Sequence, residues 1–511
     1  MYSNPIIWAD YPDLDVIRVD DTYYMVSTTM HMMPGCVVLR SYDLIHWETA
    51  IYVYDVLDDT PAQRLEDGQQ IYSKGMWAAS LRYHDGKFYI CFAANDTRKT
   101  YLFTASDIEG PWTKRIIEGF YHDASLLFDD GRVYIMYGNA SIHLTELKED
   151  LSGPKPGGLN RVVVKESQDY YLGYEGAHLY KINGKYVAFF IHITKASGRR
   201  TQACYVADSL EGEFTGGDVF NDDMGYFNSG VAQGGIVDTP GGDWYAVLFQ
   251  DHGAVGRIPV LVPLRFEEGF PVFAERAPST IRIPSTRPNY EYKPLVGSDD
   301  FHYEPDENGN VRLKDYWQWN HTPNRSLWSV TEKPGVYRIS SGRISPNLTF
   351  AVNTLTQRTM GPACEATVTL DGSELKDGDY AGLCFLISTY GLIALTKEAG
   401  QTYLVVLARD SEDESIFGNL IDDRPGTEYA RIPISGDIVT LKGRGNFVNN
   451  ADLCEFSYLD SGEWKRLGSP HRMIYKLDHF MGCRIGLFMF STREIGGTAA
   501  FSDFQYEVLN T

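Results

Sequence analysis

Arg82-Tyr-His-Asp-Gly-Lys-Phe-Tyr-Ile-Cys-Phe-Ala93 reads as two alternating strands joined at Asp85-Gly86. An Asp-Gly pair takes positive φ at both central positions of a two-residue loop, which is the twist a β-hairpin needs. The same grammar recurs in Ile17-Arg-Val-Asp-Asp-Thr-Tyr-Tyr-Met-Val-Ser-Thr28 and Leu127-Phe-Asp-Asp-Gly-Arg-Val-Tyr-Ile-Met-Tyr-Gly138. It returns in Tyr180-Lys-Ile-Asn-Gly-Lys-Tyr-Val-Ala-Phe-Phe-Ile191 and Val237-Asp-Thr-Pro-Gly-Gly-Asp-Trp-Tyr-Ala-Val-Leu-Phe249. Two copies close alike, with Leu39-Arg-Ser-Tyr-Asp-Leu-Ile-His-Trp47 and Phe103-Thr-Ala-Ser-Asp-Ile-Glu-Gly-Pro-Trp112; Val206-Ala-Asp-Ser-Leu-Glu-Gly-Glu-Phe214 is a looser match. A strand, an Asp-initiated loop and an aromatic make the outer edge of a four-stranded blade. Five such units predict an all-β, five-bladed β-propeller, whose radial packing protects its sheet edges. An irregular sandwich of hairpins has no reason to repeat the aromatic edge.

The rest of the chain sets the outer bounds. Its 511 residues are enough for two or three domains. Apolar residues at 43% and charged residues at 22% describe a globular protein, and 34 Tyr against 12 Met favours strands over helix bundles. Lys and Arg number 46 against 68 Asp and Glu, a net charge of −22 that disfavours a phosphate backbone as partner and suits a neutral ligand. No stretch approaches the roughly 20 apolar residues of a membrane span. Met1-Tyr-Ser-Asn-Pro-Ile-Ile-Trp-Ala-Asp10 has no basic or long apolar region of a signal peptide. The seven cysteines are scattered without a Cys-x-x-Cys pair, which argues against a disulfide framework or zinc site. A soluble, cytoplasmic protein is expected, with a homo-oligomer left open.

Residues 1–285 are read as the propeller, 286–298 as a Pro-rich connector and 299–511 as a β-sandwich of short alternating strands, such as Ala363-Cys-Glu-Ala-Thr-Val-Thr-Leu370. In equivalent blades, residues at one offset before each turn converge on the axis. Counting seven or eight residues back gives Asp13, Trp77 with Ala78, Asp123, Glu175 and Gln233. Carboxylates crowded in a funnel raise one another's pKa, so they are expected where chemistry needs them. Each acid alone has a plainer explanation, as a turn residue, loop cap or solvated loop acid; the matching offsets favour catalysis. Trp77 is a candidate wall for a sugar ring, or a core tryptophan between blades. Arg257, in Gly253-Ala-Val-Gly-Arg-Ile-Pro259, is a candidate to neutralise the acids and hold a hydroxyl, or a surface ion pair.

Two carboxyls on opposite sides of a neutral substrate, one acid and one base, meet the needs of glycoside hydrolysis. A third near the acid raises its pKa. Spacing leaves inversion and retention open, since the carboxyl separation decides between them.

The first half resembles the five-bladed catalytic domain of glycoside hydrolase family 43. The resemblance rests on Tyr11-Pro-Asp-Leu-Asp-Val-Ile-Arg18, Trp77-Ala-Ala-Ser-Leu-Arg-Tyr83, His122-Asp-Ala-Ser-Leu126, Tyr174-Glu-Gly-Ala-His-Leu-Tyr180 and Gly256-Arg-Ile-Pro259. It implies an inverting mechanism with Asp13 as base, Asp123 as pKa modulator and Glu175 as acid, and Arg257 on the pocket floor. Two positions depart from the family pattern: Leu14 replaces the usual proline after the base, and Gln233 stands where an axial histidine is common, which weakens the case for an axial metal. Thr28-Thr-Met-His-Met-Met-Pro-Gly35 looks like a pocket-edge loop, which nominates His31 and Met32 as sugar contacts, with loop packing as the plainer alternative. Trp317-Gln-Trp-Asn-His-Thr-Pro323 and Ala500-Phe-Ser-Asp-Phe504 resemble the lectin-like sandwich of the family's exo-pentosidases. Trp317 and Trp319 read as core anchors. The implied activity is release of β-D-xylose or α-L-arabinofuranose from small oligosaccharides. No cofactor is required for catalysis, and a structural calcium in the sandwich is allowed. The rivals are a retaining invertase-like glycosidase and a non-catalytic carbohydrate-binding scaffold.

Overall fold

A computed structural model describes residues 2–413 and 415–510. Their first half forms five four-stranded antiparallel sheets, each numbered here outward from the axis. Blade I comprises Asp15–Val19, Thr22–Ser27, Gly35–Ser41 and Glu48–Tyr54. Blade II comprises Met76–His84, Lys87–Ala94, Lys99–Ala105 and Thr113–Ile117. Blade III runs Ser125–Asp129, Arg132–Asn139, Ser141–Leu147 and Asn160–Lys165. Blade IV runs Tyr170–Ile182, Lys185–Thr194, Arg200–Ala207 and Thr215–Phe220. Blade V runs Ile236–Asp238, Trp244–Asp251, Arg257–Glu267 and Phe270–Phe273. The turn chemistry acts as read: Asp85-Gly86, Asp130-Gly131 and Asn183-Gly184 all take positive φ at both residues.

The circle closes locally. Tyr2–Ser3 pairs with Thr280–Ile281, and Asn4 ties to blade V by donating to the Leu261 carbonyl at 2.8 Å and accepting from its N–H at 3.0 Å. On the axis, the inner strands are bolted together by a buried carboxylate, Asp15. Its Oδ2 accepts from the Leu81 N–H at 2.8 Å and from Arg82 Nη1 at 2.6 Å, while His178 Nδ1 meets Oδ1 at 3.2 Å. Arg82 continues to the Leu126 carbonyl and to Ser125 Oγ, so blades I to IV share one ionic hub. Burial alone would push the Asp15 carboxyl up; Arg82 and His178 outweigh it and hold it below its ordinary range.

The second half is a two-sheet sandwich. One seven-stranded sheet includes Ala363–Asp371, Ile438–Asn446 and Thr498–Leu509. The facing eight-stranded sheet runs from Thr427–Pro433 through Asp379–Leu386 and Arg484–Ser491 to Leu355–Arg358 and Gln318–Asn320. Its last strand is Met32–Met33, donated by the propeller and paired with Trp319 and Asn320. The two halves therefore share a sheet. They share a core as well, because Val26, Met33, Phe92 and Ile258 pack in one apolar cluster with Trp317, Leu355, Leu383 and Phe501. Trp317 and Trp319 are buried within it. Polar straps cross the same boundary: Gly482 N–H to Asp10 Oδ2 at 2.8 Å, Ala254 N–H to Asp452 Oδ2 at 2.9 Å, and Tyr72 O–H to the Thr349 carbonyl at 2.7 Å. Residues 286–293 lie along blade I, where Lys293 N–H and Tyr290 O–H both donate to the Glu48 carboxylate, and Gly297 pairs with Gln357 of the sandwich. All seven cysteines are free and buried. No described helix is long and apolar enough to cross a membrane.

Candidate active site

The inner ends of the blades open into a cavity of about 420 Å³. Asp13, Trp77, Ala78, Asp123, Glu175, Gln233 and Arg257 all line it, so the equal-offset reading brings these residues together. Asp13, Asp123 and Gln233 have φ of 55°, 48° and 69°, left-handed backbone that turns each side chain off its strand and toward the axis. Gly176 has positive φ, and a Cβ there would stand 2.8 Å from the Gln233 side chain; the residue after Glu175 must be small for blades IV and V to meet.

Asp13 is nearly buried and faces Arg257, with Nη1 to Oδ1 at 3.0 Å. Arg257 is itself held from three sides. Its N–H donates to Asp10 Oδ1 at 2.8 Å, Nη2 donates to the Phe480 carbonyl at 3.3 Å, and the Phe480 ring lies 4.7 Å from the guanidinium. In blades III and IV, His122 Nε2 lies 3.2 Å from Glu175 Oε2 and 3.6 Å from Asp123 Oδ2. Asn139 Nδ2 donates to the same Glu175 oxygen at 2.6 Å, and Asp123 Oδ2 accepts the Gly176 N–H at 3.2 Å. Burial, reinforced by the charges of Glu175 and Asp13 and opposed by His122, lifts the Asp123 carboxyl to about 7. Burial pulls the His122 imidazole the other way, but the Asp123 and Glu175 carboxylates outweigh it and raise it to about 9. Asp123 and His122 are thereby tuned toward the pH range where acid–base chemistry is useful. Trp77 stands beside them, its ring 5.4 Å from that of His122 and its Nε1 bonded to the Ser73 carbonyl.

His31 and Met32 are placed differently from the expectation. Both are fully buried and neither lines the cavity; Met30 does. The segment that reads as a pocket edge is the strand handed to the sandwich sheet, and pairing with Asn320 turns it inward. His31 sits instead against Tyr72, His321 and His479, with ring centroids 4.6 to 5.1 Å away. Sequence reading also missed His122, whose signal was its position next to an axial acid. It missed Arg200, paired with Asp251 at 2.7 Å, and the sandwich residues Ile416, Phe417, Leu477 and Phe480 that complete the wall.

Among the described residues, only His122, Asp123 and Glu175 gather three potential metal-ligating atoms within 4.8 Å of one another. A calcium ion takes six to eight oxygens. Here one of three donors is an imidazole nitrogen already bonded to Glu175, so the set does not fit a resident calcium.

Residues 2–271 match glycosyl hydrolases family 43, and residues 306–507 match the β-xylosidase C-terminal concanavalin A-like domain. A β-xylosidase of Formosa agariphila is 26% identical over 99% of this chain and 90% of its own length. A non-reducing end α-L-arabinofuranosidase of Bacteroides ovatus is 23% identical over 86% of this chain and 82% of its own. The solved structure of a bifunctional GH43-CE protein of Bacteroides eggerthii superposes with a TM-score of 0.90 at 40% identity, covering 100% of this chain. This chain spans only 64% of that larger protein, less than two thirds of it. With the propeller, the sandwich and the acid-lined cavity between them, the chain belongs to glycoside hydrolase family 43 and is a glycosidase.

Proposed function

We propose that the protein is an inverting, exo-acting pentosidase that releases terminal β-D-xylose or α-L-arabinofuranose from hemicellulose-derived oligosaccharides. One observation carries this reading: carboxyls from the inner ends of blades I, III and IV meet Arg257 of blade V in one cavity that the sandwich caps with Leu477 and Phe480. Such capping favours entry of a chain end over a chain running through. Relatives named for xylose and for arabinofuranose support a pentose without choosing between them.

In this mechanism Asp13 is the general base and Glu175 the general acid. Arg257 engages one Asp13 oxygen and leaves the other for a water. That water's oxygen bonds to C1 as its proton passes to Asp13. On the opposite wall, Glu175 delivers its proton to the glycosidic oxygen as the C1–O bond breaks, and exchange with solvent resets both groups. Asp123 and His122 orient Glu175 and share its charge. Trp77 offers a flat apolar face to the sugar, and Arg257 and Gln233 offer hydrogen bonds to its hydroxyls. Inversion needs room for a water between Asp13 and the sugar, and the resemblance to the family supports that outcome over retention.

The test is incubation with 4-nitrophenyl β-D-xylopyranoside and 4-nitrophenyl α-L-arabinofuranoside, with the first-formed anomer followed by proton NMR. The reading expects an inverted pentose, and the rate ratio names the sugar. A retained anomer favours the invertase-like chemistry, and no release from either favours the binding scaffold.

A further inference from the structure

A second cavity, of about 820 Å³, lies at the outer edge of blade I, and none of the residues lining it lines the catalytic cavity. Ile51 and Tyr52, from the outermost strand of that blade, form one side, and residues between 304 and 331 of the sandwich form most of the rest. Its volume is that of a site able to enclose most of a small ligand. The floor is aromatic. Trp317 and Trp319 reach it from the shared core, and the half-buried Trp328 stands beside them, its ring centroid 4.7 Å from that of Trp319.

The arch over this floor is built rather than loose. Residues 304–315 form no strand, yet one buried carboxylate, Asp299, ties them down. Lys314 Nζ meets Asp299 Oδ1 at 3.1 Å, and the Tyr303 hydroxyl donates to Asp299 Oδ2 while accepting the Lys314 N–H at 3.2 Å. Trp317 Nε1 donates to Asp299 Oδ2 at 2.7 Å, so the same acid fixes the arch and the floor. A preformed site spends little on ordering when a ligand binds.

The rim decides the class of ligand. Four carboxylates and three cations line the cavity, and each cation already has an acid: Arg312 has Asp315 at 2.8 Å, Arg325 has Asp55 at 3.8 Å, and Lys314 has Asp299. An anion would have to displace one of these partners. A neutral ligand rich in hydroxyls uses the paired ions as they stand, as donors and acceptors around an aromatic floor. Trp328 adds a further donor, since its Nε1–H has no acceptor among the described residues and a hydroxyl satisfies it after a small turn of the ring.

We propose that this cleft is a second carbohydrate site, separate from the acids, whose occupant is a stretch of neutral hemicellulose chain. The site rests on the cleft itself; only the choice of a xylose oligomer as probe rests on the pentosidase reading above. Holding a polymer here keeps its chain ends near the catalytic cavity without adding anything to the chemical step.

The test is calorimetric titration with xylotetraose of the Glu175→Gln protein, which binds without cutting, and of the same protein carrying Trp328→Ala or Arg325→Ala. Two equivalents are expected to bind. Trp328→Ala should weaken one of them by about tenfold or more and Arg325→Ala by a smaller factor, with the other unchanged. Trp328 packs on Trp319, whereas the Arg325 side chain is 67% exposed, so the arginine variant tests the site without disturbing the core. In the otherwise wild-type enzyme, both substitutions should leave kcat/KM on the accepted nitrophenyl pentoside within about twofold. A single equivalent, or two that neither substitution weakens, overturns the second site. A wild type that cleaves neither nitrophenyl pentoside overturns the pentosidase reading alone if Trp328→Ala still weakens bound xylotetraose, and both readings if no xylotetraose binds.

Discussion

Replacing Asp10 with asparagine should damage both stability and turnover, although Asp10 touches no substrate. This buried carboxylate joins propeller, sandwich and site. Oδ1 accepts the Arg257 N–H and Oδ2 accepts the Gly482 N–H, each at 2.8 Å. The backbone packs so closely on both sides that a Cβ at Gly256, next to Arg257, or at Gly482 would fall 2.4 or 2.6 Å from Asp10 atoms. Asparagine has one carbonyl oxygen, so one N–H keeps its acceptor and the other faces an amide NH₂. Losing one charge-assisted hydrogen bond and stranding its buried donor costs roughly 2–4 kcal/mol. The asparagine has no good orientation: keeping Arg257 frees the segment of Phe480, and keeping Gly482 frees Arg257. Urea unfolding should show a lowered midpoint at unchanged slope. Turnover of the accepted nitrophenyl pentoside should fall about tenfold or more, since both Arg257 and Phe480 face the cavity. A variant with the wild-type midpoint and wild-type kcat/KM refutes the reasoning, because it shows that the strap holds nothing.

Asp13→Asn should cut turnover by about 10²–10⁴-fold on every substrate, measured as initial rates, because the attacking water loses its base. Glu175→Gln should hurt disaccharides far more than aryl glycosides or pentosyl fluorides; an equal loss on all argues against an acid role. Asp123→Asn should move the basic limb of the pH–rate profile. It should also gain stability over wild type above about pH 7 and lose that advantage below about pH 4: a carboxyl lifted to about 7 by folding stabilises while protonated, and that contribution fades as pH rises through the folded value. Truncation after residue 298 should yield an aggregating, inactive propeller, read by size-exclusion chromatography, because it exposes Met33, Phe92 and Ile258 from the shared core.

Two departures from the sequence reading have one cause. His31 and Met32 carry no local signal of their fate, since a loop with small and apolar residues suits a pocket edge as well as a strand. Their burial follows from pairing with Asn320, a partner in the other domain. Phe417 and Phe480 were invisible as cavity residues for the same reason. Asp15 was closer to legible. It follows Asp13 by two residues in Asp13-Leu-Asp15, yet one acid lines the cavity and the other is the axial hub, because Asp13 takes positive φ and Asp15 begins a strand.

The sequence by itself determined the hairpins, the number of blades and the three axial acids. Asp-Gly and Asn-Gly turns, alternation and offset are properties of a few neighbouring residues, and they survive in any context that keeps the strands. Only the tertiary structure decided which face of each loop meets solvent, the cavity or the second domain. That choice depends on burying the apolar surface of two halves at once, and it settles where Met32 pairs, how Asp10 straps Arg257 to Gly482, and which sandwich side chains reach the acids.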